Sequence, residues 1–192
     1  IRNRTAFERA RNIEAIIFDK TGTLTRGEFG VTDTLVLSDG IGKEELLTYA
    51  ASVEDHSEHP IAKGITEATD GRFEMEDFRA IPGKGAEATV DGRNVKIVSP
   101  GYLREQDISV DEAHTEELSS QGKTIVYVLI DDELKGAIAL ADIIRPESPK
   151  AVSRLKEMGV QVMMLTGDDE QVAQWVADEI GLDDYFAEVL PD

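Results

Sequence analysis

The chain has 192 residues, 41% of them hydrophobic, with 39 acidic against 20 basic residues and no cysteine. That is room for one α/β domain or two small ones with packed cores, while the formal charge of −19 argues against a nucleic-acid or anionic-membrane surface. Without thiols there are no disulfides and no thiolate metal sites, and the longest apolar runs, Ile125 to Ile130 and Ala137 to Ala141, are far below the ~18 residues of a membrane helix. The sequence opens at Ile1 without a basic-then-apolar leader, as expected of a piece taken from a longer chain.

In chain order, Ile13 to Phe18 is apolar and rich in β-branched residues, the pattern of a buried parallel strand. Charge arrives abruptly after it, in Asp19-Lys20-Thr21-Gly22-Thr23-Leu24-Thr25. The C-terminal edge of an open α/β sheet is where ligands sit. Gly22 allows a tight turn whose amides face an anion, and a carboxylate held there is a candidate nucleophile that forms an aspartyl-phosphate. Lys43 to Val53 groups Leu46, Leu47, Ala50 and Ala51 on one helical face. A second helix is expected around Pro60 in its first turn, with Ser57 as cap.

Short alternating strands follow at Phe78 to Ile81, Ala86 to Val90 and Val95 to Val98, with Asp91-Gly92 as a hairpin turn. Asp111 to Ser120 is expected to be helical. Thr124 to Ile130 and Leu134 to Leu140 form a further hairpin around Asp131-Asp132. Then comes an amphipathic helix from Pro149 to Met158 stopped by Gly159, an apolar strand from Val160 to Leu165, and the polar triplet Thr166-Gly167-Asp168. A helix from Glu170 to Ile180 closes at Gly181, before a short strand from Tyr185 to Val189. The ends of the chain make a βαβ pattern. The middle is an antiparallel α+β module inserted between them. The expected cuts are 1–33 with 139–192 for the outer domain and 34–138 for the inserted one.

The seven residues DKTGTLT, Asp19 to Thr25, resemble the phosphorylation motif of P-type cation-transporting ATPases. Those proteins share the haloacid-dehalogenase-like, Rossmann-like fold. Many phosphatases of that wider group carry a second Asp two residues after the nucleophile, to protonate the leaving group and activate water. Here the position is Thr21, so an aspartyl-phosphate should hydrolyse slowly. Ser57-Glu58-His59-Pro60 resembles the SEHP motif of the heavy-metal branch, which implies that His59 meets the adenine ring of ATP and that Glu54 lies near its amino group. Ile81-Pro82-Gly83-Lys84-Gly85-Ala86 resembles the glycine-rich segment of the same nucleotide domain, implying nucleotide contacts at Gly83 and Gly85, with Gly92 following. Thr166, Gly167 and Asp168 resemble the loop lining the phosphorylation site, and Asp142 to Pro146 resembles the family's return hinge.

The resemblance implies ATP as substrate and Mg²⁺ as cofactor, the ion facing Asp19 and Thr21. It implies membrane and actuator domains in the same parent chain, at the cytoplasmic face of a membrane, with the transported metal bound outside this piece. The family's phosphate-steadying Lys and Gly-Asp-Gly segment would follow Leu190-Pro191-Asp192, so this piece should bind nucleotide and transfer phosphate poorly. Ile1 to Glu8, Phe29-Gly30-Val31 and Ser99-Pro100-Gly101-Tyr102 are most similar to the copper-transporting members. The last of these replaces a Gly-Asn pair on the ribose side. Cations for an anionic nucleotide are sought among Lys20, Lys63, Lys84, Lys123 and Arg145. Two other readings are a soluble phosphatase or phosphomutase with a cap domain, which Thr21 disfavours, and a nucleotide-binding module without chemistry. A transition-metal pair at His56 and His59 lacks a cysteine or a third nearby histidine.

Overall fold

The computed structural model describes residues 13–110 and 113–189. The expectations at Ile1 to Glu8, at Asp111 and at Leu190 to Asp192 lie outside them. The chain forms two compact units, one ending at Gly27 and resuming at Ile143, the other running from Glu28 to Asp142.

The first unit holds three parallel strands, β1 (Ala15–Asp19), β8 (Gln161–Leu165) and β9 (Asp184–Phe186), in the order β1-β8-β9. Helices α5 (Ser148–Glu157) and α6 (Glu170–Ile180) supply Val152, Ala173, Val176 and Ile180 to a core with Val162 and Met164. Asp169 caps α6 by accepting from Val172 N at 2.9 Å, and both helices close on a left-handed glycine, Gly159 and Gly181, as C′ positions favour.

The expectation that the strands are buried on both faces is not met. Side chains alternate across a strand, and among the described residues only one face of this sheet carries helices. Ile17 is 53% exposed, and Leu165 and Phe186 are exposed on the same bare face. The closing strand is Asp184–Phe186, three residues rather than Tyr185 to Val189.

The second unit is built on a six-stranded sheet in the order β2-β7-β6-β5-β4-β3, antiparallel from β7 through β3. Its strands are β2 (Thr25–Val36), β3 (Met75–Ile81), β4 (Gly85–Val90), β5 (Arg93–Val98), β6 (Thr124–Ile130) and β7 (Glu133–Ile144). Helices α1 (Lys43–Glu54) and α2 (Pro60–Thr66) bury Leu46, Tyr49, Val53 and Ile65 against one face. On the other face Val98, Ile125, Tyr127 and Leu129 pack with Leu103 of α3 (Pro100–Glu105) and Leu118 of α4 (Ala113–Ser120). Asp91 and Gly92 both have positive φ, the primed turn that suits the twist of a hairpin.

The units meet at 27/28 and 142/143, outside the expected cuts at 33/34 and 138/139. β2 and β7 remain neighbours in the sheet past those positions, and Thr32 Oγ1 donates to Ala139 O at 3.3 Å. Pairing therefore keeps residues 28–33 and 139–142 with the inserted unit.

The one-sided sheet gives a stability test. Met164→Ala, which empties a fully buried position, should cost about 2–5 kcal/mol. Ile17→Ala on the bare face should cost less than ~1 kcal/mol. Denaturant unfolding that gave equal losses would contradict the open face.

Candidate functional site

The parallel register pairs Asp19 with Leu165, so the ends of β1 and β8 reach the same edge. Asp19 and the following Thr166-Gly167-Asp168 loop are thereby brought together. Lys20 is buried, and its Nζ meets Asp168 Oδ2 at 2.8 Å. Thr166 Oγ1 donates to the same Asp168 oxygen at 2.8 Å, and Asp168 N donates back to Thr166 Oγ1 at 3.2 Å. The loop holding Gly167 is zipped to the chain after β9 by Thr166 N to Phe186 O at 2.9 Å and Glu188 N to Asp168 O at 2.8 Å. Asp19 itself is exposed.

The loop from Lys20 to Leu24 owes its shape to bonds from behind. Gly22 has φ +77°, which a side chain would resist. Its carbonyl accepts from Arg145 Nη2 at 3.2 Å, and Thr25 O accepts from Arg145 Nε at 3.0 Å. Leu24 O accepts from Arg145 N at 3.0 Å and from Ser148 Oγ at 2.8 Å. The Thr25 hydroxyl donates to Lys20 O at 2.9 Å. Four carbonyls of the turn are thus engaged, an arrangement that suits an anion, because unpaired carbonyl oxygens nearby would repel it. Arg145, sought as a phosphate ligand, instead organises the Asp19 loop. Neither it nor Ser148 could be assigned that task from sequence, since their partners lie more than a hundred residues away.

The second unit contains a cleft of about 440 Å³, a size that accepts a small organic ligand. Its apolar walls include Phe78, Ala80, Ile97 and Val126, and its polar groups include Glu54, Ser57, His59 and Lys84. Ile81-Pro82-Gly83-Lys84 is a β-turn closed by Lys84 N to Ile81 O at 2.9 Å, with Pro and a positive-φ Gly where a type II turn wants them. At Gly85 a Cβ would stand 1.9 Å from Ile97 O, so only glycine lets β4 lie this close to β5.

His59, rather than Ser57, caps α2. Its Nδ1 accepts from Ile61 N at 3.3 Å, because Pro60 at the first helical position makes its predecessor the cap. This bond fixes the ring and leaves the neutral imidazole's proton on Nε2. Burial pushes the Glu54 carboxyl above its ordinary range, with a Ser57 hydrogen bond opposing the shift.

Glu54, His59, Gly83 and Gly85 line this cleft. Gly92 does not. It turns the chain at the far end of β4, about 20 Å along the strand from Gly85. Of the five cations sought, only Lys84 lines the cleft. Lys63 pairs with Glu28 at 2.9 Å and Lys123 with Asp33 at 2.7 Å. His56 lies against Phe78, and among the described residues no group of three metal-ligating side chains exists.

A family model described as hydrolase, haloacid dehalogenase-like hydrolase, matches residues 13–191. The chain belongs to the haloacid dehalogenase-like hydrolases. Within this family it resembles a particular group of transporters. The copper-exporting P-type ATPase B of Archaeoglobus fulgidus is 57% identical across 100% of this chain and 28% of that protein. The copper-exporting P-type ATPase B of Enterococcus hirae is 34% identical across 100% of this chain and 26% of its own length. A zinc-transporting PIB-type ATPase in its E2.Pi state matches with TM-score 0.81 and 37% identity, over 93% of this chain and 30% of that one. The catalytic domain of the CPx-ATPase CopB-B matches with TM-score 0.57 and 27% identity, over 98% and 66%. The hydrolase chain thus spans less than a third of the length of these curated relatives.

The buried Glu54 generates a pH test. The folded state holds this proton more tightly than the unfolded chain, so the associated stability is fully present below the unfolded value of 4.5 and is lost as pH rises through the folded one. Glu54→Gln should therefore unfold at higher denaturant than the parent at neutral pH, with the gap closing near pH 4. A gap that does not change with pH would count against a buried carboxyl.

Proposed function

We propose that this chain is the ATP-handling region of a heavy-metal-translocating P-type ATPase, in which ATP phosphorylates Asp19. The observation that carries the reading is the placing of Asp19 at the C-terminal sheet edge beside Lys20, Thr166 and Asp168, in a chain whose other unit holds a cleft lined by Glu54, His59, Gly83 and Gly85. Adenine enters the apolar cleft, with His59 offering a ring face and an Nε2–H, and Glu54 facing the exocyclic amine. A carboxylate oxygen of Asp19 attacks the γ-phosphorus, the bond to the β,γ-bridging oxygen breaks, and ADP leaves. The buried Lys20 neutralises charge at the acceptor while Asp168 holds its ammonium in place. Thr21 offers no proton-transfer group to a water, which favours a lasting aspartyl-phosphate over a phosphatase cycle.

The side chains present fit a Mg²⁺ that arrives with nucleotide, since such an ion uses one or two carboxylates plus substrate phosphates. Asp19 and Thr21 would hold it, and bound there it would offset phosphate charge during transfer. The names of the similar proteins favour copper as the transported ion, which would bind outside this chain, in membrane segments of the same parent that also carries an actuator domain. The units described here would then face the cytoplasm.

Two variants test the reading. Asp19→Asn in the full-length parent should abolish the acid-stable, hydroxylamine-labile phosphoenzyme while nucleotide binding persists, because an amide is not a competent nucleophile. Undiminished phosphoenzyme would move the acceptor to another carboxylate. In the 192-residue chain, His59→Asn keeps a capping side chain for α2 but loses the ring. Calorimetric titration with ATP should then show affinity several-fold weaker, about 0.5–1.5 kcal/mol. Unchanged affinity would remove His59 from the site.

A further inference from the structure

Among the described residues, Lys84 is the only lysine or arginine lining the cleft, and it is engaged. Its ammonium pairs with Glu105, the last residue of α3. The contact is held from both sides. Lys84 sits at the end of the tight Ile81–Lys84 turn, and its carbonyl accepts from Ser99 N at 2.8 Å, at the cap of α3. One short helix therefore carries Glu105 at its end while its start is tied to the backbone of the residue that Glu105 pairs with.

We propose that Glu105 is an internal competitor for the nucleotide's phosphates. The inference rests on the nucleotide reading above and adds a regulating residue to that site. A base seated among Glu54, His59 and the apolar wall directs its ribose and phosphates past Gly83 to Gly85, where Lys84 is the cation within the cleft lining. To meet a phosphate, the ammonium has to leave Glu105. The exchange is feasible because both side chains reach water, 38% and 55% exposed, and an ion pair at the surface is worth little. Glu105 thus lowers affinity for phosphorylated ligands while leaving the base alone. The cleft is tuned towards readily released nucleotide by a residue that lies outside its wall.

The test is calorimetric titration of the 192-residue chain with adenosine, ADP and ATP. Glu105→Gln should tighten ATP and ADP about two- to fivefold, the range expected on releasing an exposed ion pair, and leave adenosine unchanged. Lys84→Met should weaken ATP and ADP but not adenosine. In the Lys84→Met background, Glu105→Gln should have almost no effect. If Glu105→Gln leaves ATP affinity unchanged while adenosine binds normally, the competition is overturned and the nucleotide reading survives. Equal tightening with and without Lys84 would overturn it too, by reducing Glu105 to one more negative charge in an acidic protein. Tightening of adenosine as well would mean that α3 reshapes the cleft instead. Failure of all three ligands to bind the parent chain would overturn the nucleotide reading, and the competition with it.

Discussion

Parallel pairing of β1 with β8 is the constraint on which the rest of this structure depends. Parallel neighbours cannot be joined by a tight turn, so the chain must cross over between them. Here the crossover contains the whole of the second unit and α5. The same pairing brings both strand ends to one edge, so Asp19 and the Thr166–Asp168 loop become neighbours although they are far apart in sequence. Lys20, itself buried, then bridges them through its ion pair with the half-buried Asp168. Removing Asp168 would take a charged partner from an ammonium that is largely out of water, which is costly. The acceptor edge therefore has a conformational role beside any chemical one.

Charge in this protein is spent locally. Against a formal −19, a polyanionic ligand meets an unfavourable field unless cations stand beside it. The cleft supplies one lysine and an apolar wall, and its buried carboxyl holds its proton more tightly than an exposed one does. Recognition there is weighted towards burying a flat base rather than towards neutralising phosphate. On the proposed reading, neutralisation belongs to the other unit, where Lys20 is held buried beside Asp19.

Much of this was legible because the signals are local. An apolar strand that breaks into Asp-Lys-Thr-Gly announces a charged loop at a strand end, and Asp91-Gly92 between alternating segments announces a hairpin. What failed was long-range. Ile17 is apolar whether or not a helix covers it, so composition could not reveal a sheet clothed on one face. Gly92 lies in the turn beyond the strand that Gly85 begins, at its opposite end, a fact of strand length rather than of motif order. Ser57 has the better capping chemistry, yet Pro60 fixed where α2 begins and gave the cap to His59. Glu105 and Arg145 carry no motif that names their partners, and only the folded chain brings them to Lys84 and to the Asp19 loop.

Arg145 ties the chain that returns to the first unit back to the turn after Asp19. β2 leaves the first unit directly after the Asp19 loop, and β7 returns just before Arg145. The guanidinium bonds to Gly22 and Thr25, while the Arg145 amide and the Ser148 hydroxyl share Leu24 O. Both covalent crossings are therefore fastened to the same turn, the outgoing one as its continuation and through the Thr25 hydroxyl, the returning one through four donor groups. Bonds to an ionised donor are roughly twice as strong as neutral ones, so the turn follows the strand pair more readily than it tears from it. Displacing β2 and β7 together must carry the loop's peptide planes along or break these bonds.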